Sequence, residues 1–429
     1  MRRTVKPYLT FAFPGVASLA ALIPLVQMPA PTPTALTELQ IASMEPVRQA
    51  SLLDPLRKVA NAVGAVGAGD EQLFFAGLRI DGPRNVVHVY LTDLSRAPEF
   101  IEAAHGIDPG LDSVKITIEK ARHTLQELHE ARNELLAEDA AHSLPYNIQS
   151  VAVDSEHSVL TVAVDTPAAA RKDSGRAAKS LRVPLKFIQG ENISPASWAA
   201  TKWHDRSPFI AGDVLTDGSF YCSAGLPAVR KSSNRPVLIT AGHCFAHGKR
   251  VYTGAGTTPR LGKYYDGLNG QIGNYVGTVS SAAEGHDAEQ LVGADNNADE
   301  SDSAGYKPIT AIAHSYNGDY VCQNGAASFF MQQGTVCGIK VINSDIIYKM
   351  DNGWTVRGAE GTRLPKSRWA AAHGDSGSMV FSVNGSTRQA RGVVSALTTP
   401  YQTHAGSFLF WTDAIEIFDR FGLKLNPVI

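Results

Sequence analysis

No cysteine occurs before Cys222, and only four occur in 429 residues. All four lie between Cys222 and Cys337. An even count confined to one half points to two disulfides in an oxidising compartment rather than to buried free thiols. A basic excess is also missing. Lys and Arg number 39 against 41 Asp and Glu, a formal net charge of −2. Nothing in that balance neutralises phosphates, which excludes an electrostatic nucleic-acid binder. Long unbroken apolar runs are missing too. Residues 9–26 are mostly apolar, but Pro14 and Pro24 interrupt them. Arg2, Arg3 and Lys6 precede that run, and small residues and prolines follow it to Ala35. The pattern is that of a secretory signal over 1–35 rather than a membrane anchor.

The chain is long enough for two or three domains, and its 44% hydrophobic content suffices for ordinary cores. Residues 36–206 read as a small α/β unit. Strand-like runs at 73–78 and 86–91 flank the turn Asp81-Gly82-Pro83-Arg84. Ile118, Ala121, Leu125, Leu128, Ala131 and Leu135 recur at steps of three and four, which predicts an amphipathic helix. Two further strands are expected at 148–153 and 159–164. No nucleophile–base pair is found in this unit. Residues 207–429 read as all-β, with short apolar runs between Gly, Asn, Asp and Ser clusters. A closing helix is predicted over 412–421, with Ala414, Ile417, Phe418 and Phe421 on its apolar face.

Chemistry concentrates in two stretches of this second region. His373-Gly374-Asp375-Ser376-Gly377-Ser378 sets a hydroxyl on a tight glycine-flanked turn. The Gly374 and Ser376 amides are then placed to receive one oxygen of a bound carbonyl. Thr240-Ala241-Gly242-His243-Cys244 follows the apolar run 236–239 and supplies a base. These two motifs, in this order, resemble the chymotrypsin-like serine proteases. The likeness is greater to the bacterial secreted branch with large propeptides, the streptogrisin and alpha-lytic type. It covers roughly 209–429 well and the preceding region more faintly.

The resemblance implies a mainly β fold: a double six-stranded antiparallel β-barrel protease domain with a C-terminal helix, over 207–429. A small α/β propeptide-like domain over 36–206 would precede it. The implied catalytic residues are His243, Asp287 and Ser376, with Gly374 and Ser376 as the oxyanion hole. Asp287 lies between His243 and Ser376 at spacings similar to the family's. Asp295, Asp299 and Asp302 are its rivals, but 295–302 reads as an exposed loop. Its dense oxygens are also of the kind that bind calcium. The comparison suggests Cys222 with Cys244 and Cys322 with Cys337, one of three possible connectivities.

Some positions depart from the family. Ser378 stands where glycine is usual, and no cysteine precedes the Ser376 turn. Gln323 follows Cys322 where an arginine often pairs with the turn's aspartate, so Asp375 needs another partner; a new N-terminal amine freed near Ile210 is the expected substitute. Ser395, Ala396 and Leu397 are expected at the substrate pocket. No acidic residue occurs from Thr362 to His373, and Val394 stands where Glu-specific relatives carry histidine. Small or medium apolar residues are the implied preference. The implied protein is a secreted, monomeric endopeptidase made as a preproprotein. Its partners are polypeptide substrates and its own propeptide in cis, with no nucleic acid, no stable membrane association after signal removal, and no metal or organic cofactor. The alternative is an extracellular pseudoprotease used as a binding module, for which Ser378 and Asp375 are the support.

Overall fold

A computed structural model describes residues 36–69, 71–172, 181–190, 193–195, 202–254, 272–303, 305–329, 331, 334–365, 368–398 and 405–426. The signal expected over 1–35 lies outside them. Among the described residues no helix is long and apolar enough to cross a membrane.

The first half repeats one plan: a hairpin, a crossover, and a third strand parallel to the second. β1 (Phe75–Asp81) pairs antiparallel with β2 (Val86–Leu91), which pairs in parallel with β3 (Lys115–Lys120). β4 (Ile148–Asp154), β5 (Val159–Val164) and β6 (Leu185–Gln189) do the same. Three helices were not expected from the sequence. α1 (Glu38–Ala42) leads into α2 (Pro46–Ala68), whose Leu53, Leu56, Ala60 and Val63 are buried. Pro46 fits the first turn of α2, and the Glu45 carboxylate caps the Val47 and Arg48 amides. α3 (Ala97–Ile107) joins α2 over the first sheet with Phe100 buried between them.

The predicted 118–135 helix is corrected. Ile118 lies in β3, and the helix, α4, is Leu125–Ala140. Thr124 and Glu127 form a capping box that sets its start. Periodicity alone joined two elements because Ile118 and Ala121 fall in step with the real helical face.

β7 (Ile193–Pro195) is a short strand whose pairing is described below. Beyond it lie β8 (Phe209–Ala211), β9 (Val214–Thr216), β10 (Tyr221–Ser223), β11 (Pro227–Arg230), β12 (Pro236–Thr240), β13 (Arg250–Gly254), β14 (Ile272–Ala283) and β15 (Ala288–Val292). With β26 (Leu423–Leu425), all but β8 form one eight-stranded sheet. Its core includes Leu238, Val251, Val279, Leu291 and the Cys222–Cys244 disulfide.

β16 (Asn296–Asp302) and β17 (Gly305–Ile312) form a hairpin. The exposed loop expected at 295–302 is thus a strand. Glu300 and Asp302 face inward and pair with Arg388, which removes the reason to expect them in solvent.

The second barrel is a closed ring. β18 (Tyr320–Gln323) pairs with β19 (Val336–Lys349), which pairs with β20 (Thr355–Arg363). The short β21 (Ala371–Ala372) precedes β22 (Met379–Asn384) and β23 (Thr387–Thr398). β24 (Ala405–Gly406) pairs with β21, and β25 (Phe408–Asp413) joins β20 to β23. β22 bridges β23 back to β18 and closes the ring. The Cys322–Cys337 disulfide ties β18 to β19.

The chain ends in α5 (Ala414–Phe421), capped by the Asp413 carboxylate on the Ile415 and Glu416 amides. Gly422 terminates it with φ 64°, a left-handed conformation that favours glycine. Ile417 and Phe418 fill the space between the barrels with Ile239, Met379 and Val393.

Strand pairing and buried side chains both join the halves. β4 pairs antiparallel with the tip of β19, placing Val151 opposite Ile347. α2 inserts Arg57, whose Nε lies 2.9 Å from Asp319 of the region before β18.

Candidate active site

β12 ends at Thr240, whose hydroxyl donates to the Ser223 carbonyl at 2.9 Å. The chain then passes close to β15. A Cβ at Gly242 would lie 2.9 Å from the Ala288 nitrogen, so only glycine permits that approach. His243 follows with its backbone N–H on Asp287 Oδ1 at 2.9 Å. Its Nδ1 lies 3.0 and 2.9 Å from the two Asp287 oxygens. Asp287 adopts φ 39°, ψ 54°, a left-handed conformation that Asp tolerates better than most residues. A carboxylate can only accept, so Nδ1 carries the hydrogen and Nε2 is left as the acceptor. That Nε2 lies 2.9 Å from Ser376 Oγ.

The Ser376 turn is fastened from behind. The Ser223 hydroxyl donates to the Gly374 carbonyl at 2.8 Å, and its amide to the Ser376 carbonyl at 2.7 Å. Gly377 has φ 86°, and a Cβ there would stand 2.0 Å from Thr240 Oγ1. The histidine strand and the serine turn are therefore packed together through a glycine. Among the described residues the Gly374 and Ser376 amides have no protein acceptor. They are fixed donors for an incoming oxygen.

Asp375 is completely buried, and burial pushes its carboxyl pKa upward. The cation expected for it is replaced by neutral donors. Ser328 N and Oγ lie 2.8 and 2.5 Å away, Ala372 N 2.8 Å, and Gln323 Nε2 3.0 Å. The Ile210 amide instead bonds Asp205 Oδ2 at 3.1 Å. Gln323, at the position where an arginine was expected, thus keeps the contact without the charge. Ser378 is buried with its hydroxyl unpaired among the described residues.

Three residues were expected at the pocket, and they divide. Ser395 turns its hydroxyl onto Asp287 Oδ2 at 2.5 Å and so holds the acid. Ala396 packs with Tyr348 and Phe410. Leu397 is fully buried in one apolar cluster with Ala370, Ala371 and Val394. The rival carboxylates are engaged elsewhere: Asp295 accepts from Ser207 Oγ at 3.0 Å, Asp299 from Asn297, and Asp302 from Arg388.

Sequence reading missed Glu289, two positions after Asp287. It is fully buried, and its pKa is pushed up to about 10, by burial first and by the neighbouring Asp287 second. It carries a proton at neutral pH and adds no negative charge beside His243. Only its alternation with Asp287 along β15 could have indicated it. Cys222 and Cys244 lie near His243, but their sulfurs are bonded to each other and offer no thiolate for a metal.

β7 lies antiparallel to β23, with Ser194 opposite Leu397 and Pro195 opposite Ala396. A segment of the chain itself therefore occupies the strand edge beside Ser395.

No family model matches the sequence, and no curated protein matches it. Solved structures do resemble it. Nocardiopsis protease (NAPase) is 22% identical, covering 51% of this chain and 98% of its own, with a TM-score of 0.37. Thermobifida fusca protease A and Cellulomonas bogoriensis chymotrypsin are each 23% identical, with the same coverage and TM-score. The chain resembles chymotrypsin-like bacterial serine proteases, and its fold is mainly β with a C-terminal helix.

Proposed function

We propose that the chain is a serine endopeptidase working through His243, Asp287 and Ser376. The observation that carries this reading is the unbroken line from Asp287 through both ring nitrogens of His243 to Ser376 Oγ. Ser376 Oγ attacks the peptide carbonyl carbon while its proton passes to His243 Nε2. Asp287 holds the ring and stabilises the imidazolium. The oxyanion rests between the Gly374 and Ser376 amides. Collapse breaks the C–N bond, and His243 returns the proton to the leaving amine. Water then attacks the acyl-enzyme with His243 as base, releasing the acid and restoring Ser376.

The pocket favours small apolar side chains. No acidic residue occurs from Thr362 to His373 to receive Arg or Lys, and Val394 offers no cation to Glu, so a charged side chain would lose hydration without a partner. Two disulfides support export to an oxidising compartment. Residues 36–206 act as a propeptide. The β4–β19 and β7–β23 pairings support this, since they brace the second barrel and cover the substrate edge until processing. A pseudoprotease reading finds little support here, because Asp375 is fully hydrogen-bonded.

The test is pre-steady-state hydrolysis of an alanine p-nitrophenyl ester. A burst equal to the enzyme concentration is expected, and its loss in Ser376→Ala. Equal activity in that variant ends the proposal.

A further inference from the structure

The segment just before β8 is built against the eight-stranded sheet rather than trailing from it. Trp203 is buried beneath Gly254, where a Cβ would come within 2.5 Å of the indole, and it packs on Tyr221. The Lys202 carbonyl accepts the Val214 amide at 3.2 Å. Asp205 holds the Arg206 and Ile210 amides at 2.7 and 3.1 Å.

The Lys202 side chain runs into a nest of buried carboxylates. Asp213, Glu300 and Asp302 are all buried there. Arg388 pairs with Glu300 and Asp302 from one side. Lys202 approaches from the other, its ammonium donating to the Ser301 carbonyl and, at 3.2 Å, to the Asn324 carbonyl. Burial lowers the lysine and raises Asp213 and Glu300, the latter to about 8. Burial is the first cause of each shift, and the attraction between Lys202 and the carboxylates opposes it.

The Asn324 carbonyl opens the loop that cradles Asp375. Asn324 Nδ2 bonds Glu300 Oε2 at 2.8 Å, and its Oδ1 accepts the Met379 amide at 3.1 Å. Gly325 packs so close to Asp375 that a Cβ would lie 2.2 Å from Oδ1. Gln323 and Ser328, on either side, supply three of the four donors to Asp375. The Ala326 amide bonds the Ser223 hydroxyl, which in turn holds the Gly374 carbonyl. One continuous set of contacts runs from the Lys202 ammonium to both sides of the Ser376 turn.

We propose that Lys202 is a positioning residue for Ser376. It fastens the 323–328 loop to β16, and the active form of the protein keeps it, with processing upstream of Lys202 rather than near Ile210. Cutting near Ile210 would remove this cation from beside Asp213, Glu300 and Asp302, of which Arg388 pairs with the last two. It would also strip Trp203 from the sheet. The role rests on the serine-protease reading.

The test uses the full-length chain, left to process, with an alanine p-nitroanilide peptide as substrate. The first residue of the active form is expected upstream of Lys202; a start at Trp203 or beyond overturns the proposal. Lys202→Met is expected to lower kcat at least fivefold with KM within threefold of wild type. Lys202→Met/Glu300→Gln removes the charge imbalance and serves if the single variant does not fold; the same kcat loss is expected. A smaller loss, or one carried by KM, overturns the proposal. If neither variant folds, the N-terminal residue decides. A wild type that hydrolyses nothing fails the protease reading itself and takes this role with it.

Discussion

His243 has both ring nitrogens engaged, so its chemistry depends on which one bears hydrogen. Asp287→Asn puts an amide donor where Nδ1–H needs an acceptor and favours the wrong tautomer. A fall in kcat on the order of 10⁴-fold is expected. Asp295→Asn, whose carboxylate accepts from Ser207 Oγ, is expected to leave kcat within threefold. Steady-state kinetics of the two variants decides, and equal losses would remove Asp287 from its role. Glu289 gives a pH dependence of opposite sense to the usual carboxylate. Its folded pKa of about 10 exceeds the ordinary 4.5, so the unfolded chain gives up this proton first. Stability therefore drains away as pH rises between those values, by at most about 1.4 kcal/mol per unit. Glu289→Gln should stabilise the protein more at pH 9 than at pH 5 in thermal melts. A constant difference would refute this. At this scale the sequence pointed to the three side chains that the structure brings together but not to their supports. His243 and Ser376 announce themselves by neighbours along the chain. Gln323 and Ser328 reach Asp375 from about 50 residues away. Lys202 reaches Asn324 across a longer gap.

Among elements, those with a regular pattern and a clear cap were legible. α5 combines an Asp cap, an apolar face and a terminal glycine, and it appears where expected. α2 escaped notice because Pro55 interrupts it and alanines dilute its apolar face. β16 escaped because its inward residues are carboxylates, paired by an arginine that lies far along the chain. A strand with acids facing inward looks like a loop until its partner is known. A bulge between Val394 and Ala396 shifts the register of β23 against β25. That irregularity is why Ser395 serves Asp287 while Leu397 faces apolar neighbours. Leu397→Gly should enlarge the pocket and raise hydrolysis after Phe relative to Ala, at a stability cost of about 3 kcal/mol or more. Peptide-library profiling of both forms checks it; an unchanged Phe-to-Ala ratio would place Leu397 outside the pocket.

For the whole molecule, the two halves are tied by a buried charge as well as by strands. Arg57 of α2 bonds Asp319 through Nε and the Tyr320 carbonyl through Nη2 at 2.8 Å. Breaking a buried pair from one side is costly, by about 3–5 kcal/mol. In a Ser376→Ala background, where self-cleavage is blocked, Arg57→Met should destabilise the full chain by that order. Denaturant unfolding of Arg57→Met, Asp319→Asn and the double variant should show coupling of about 1 kcal/mol or more. Strict additivity would mean the contact does not join the halves. The central claim is that this assembly presents an activated Ser376. Its most direct measurement is mass-spectrometric mapping of the purified protein after treatment with a fluorophosphonate. A single adduct on Ser376, abolished by His243→Ala, is predicted. An adduct elsewhere, no adduct, or full labelling without His243 would contradict the account.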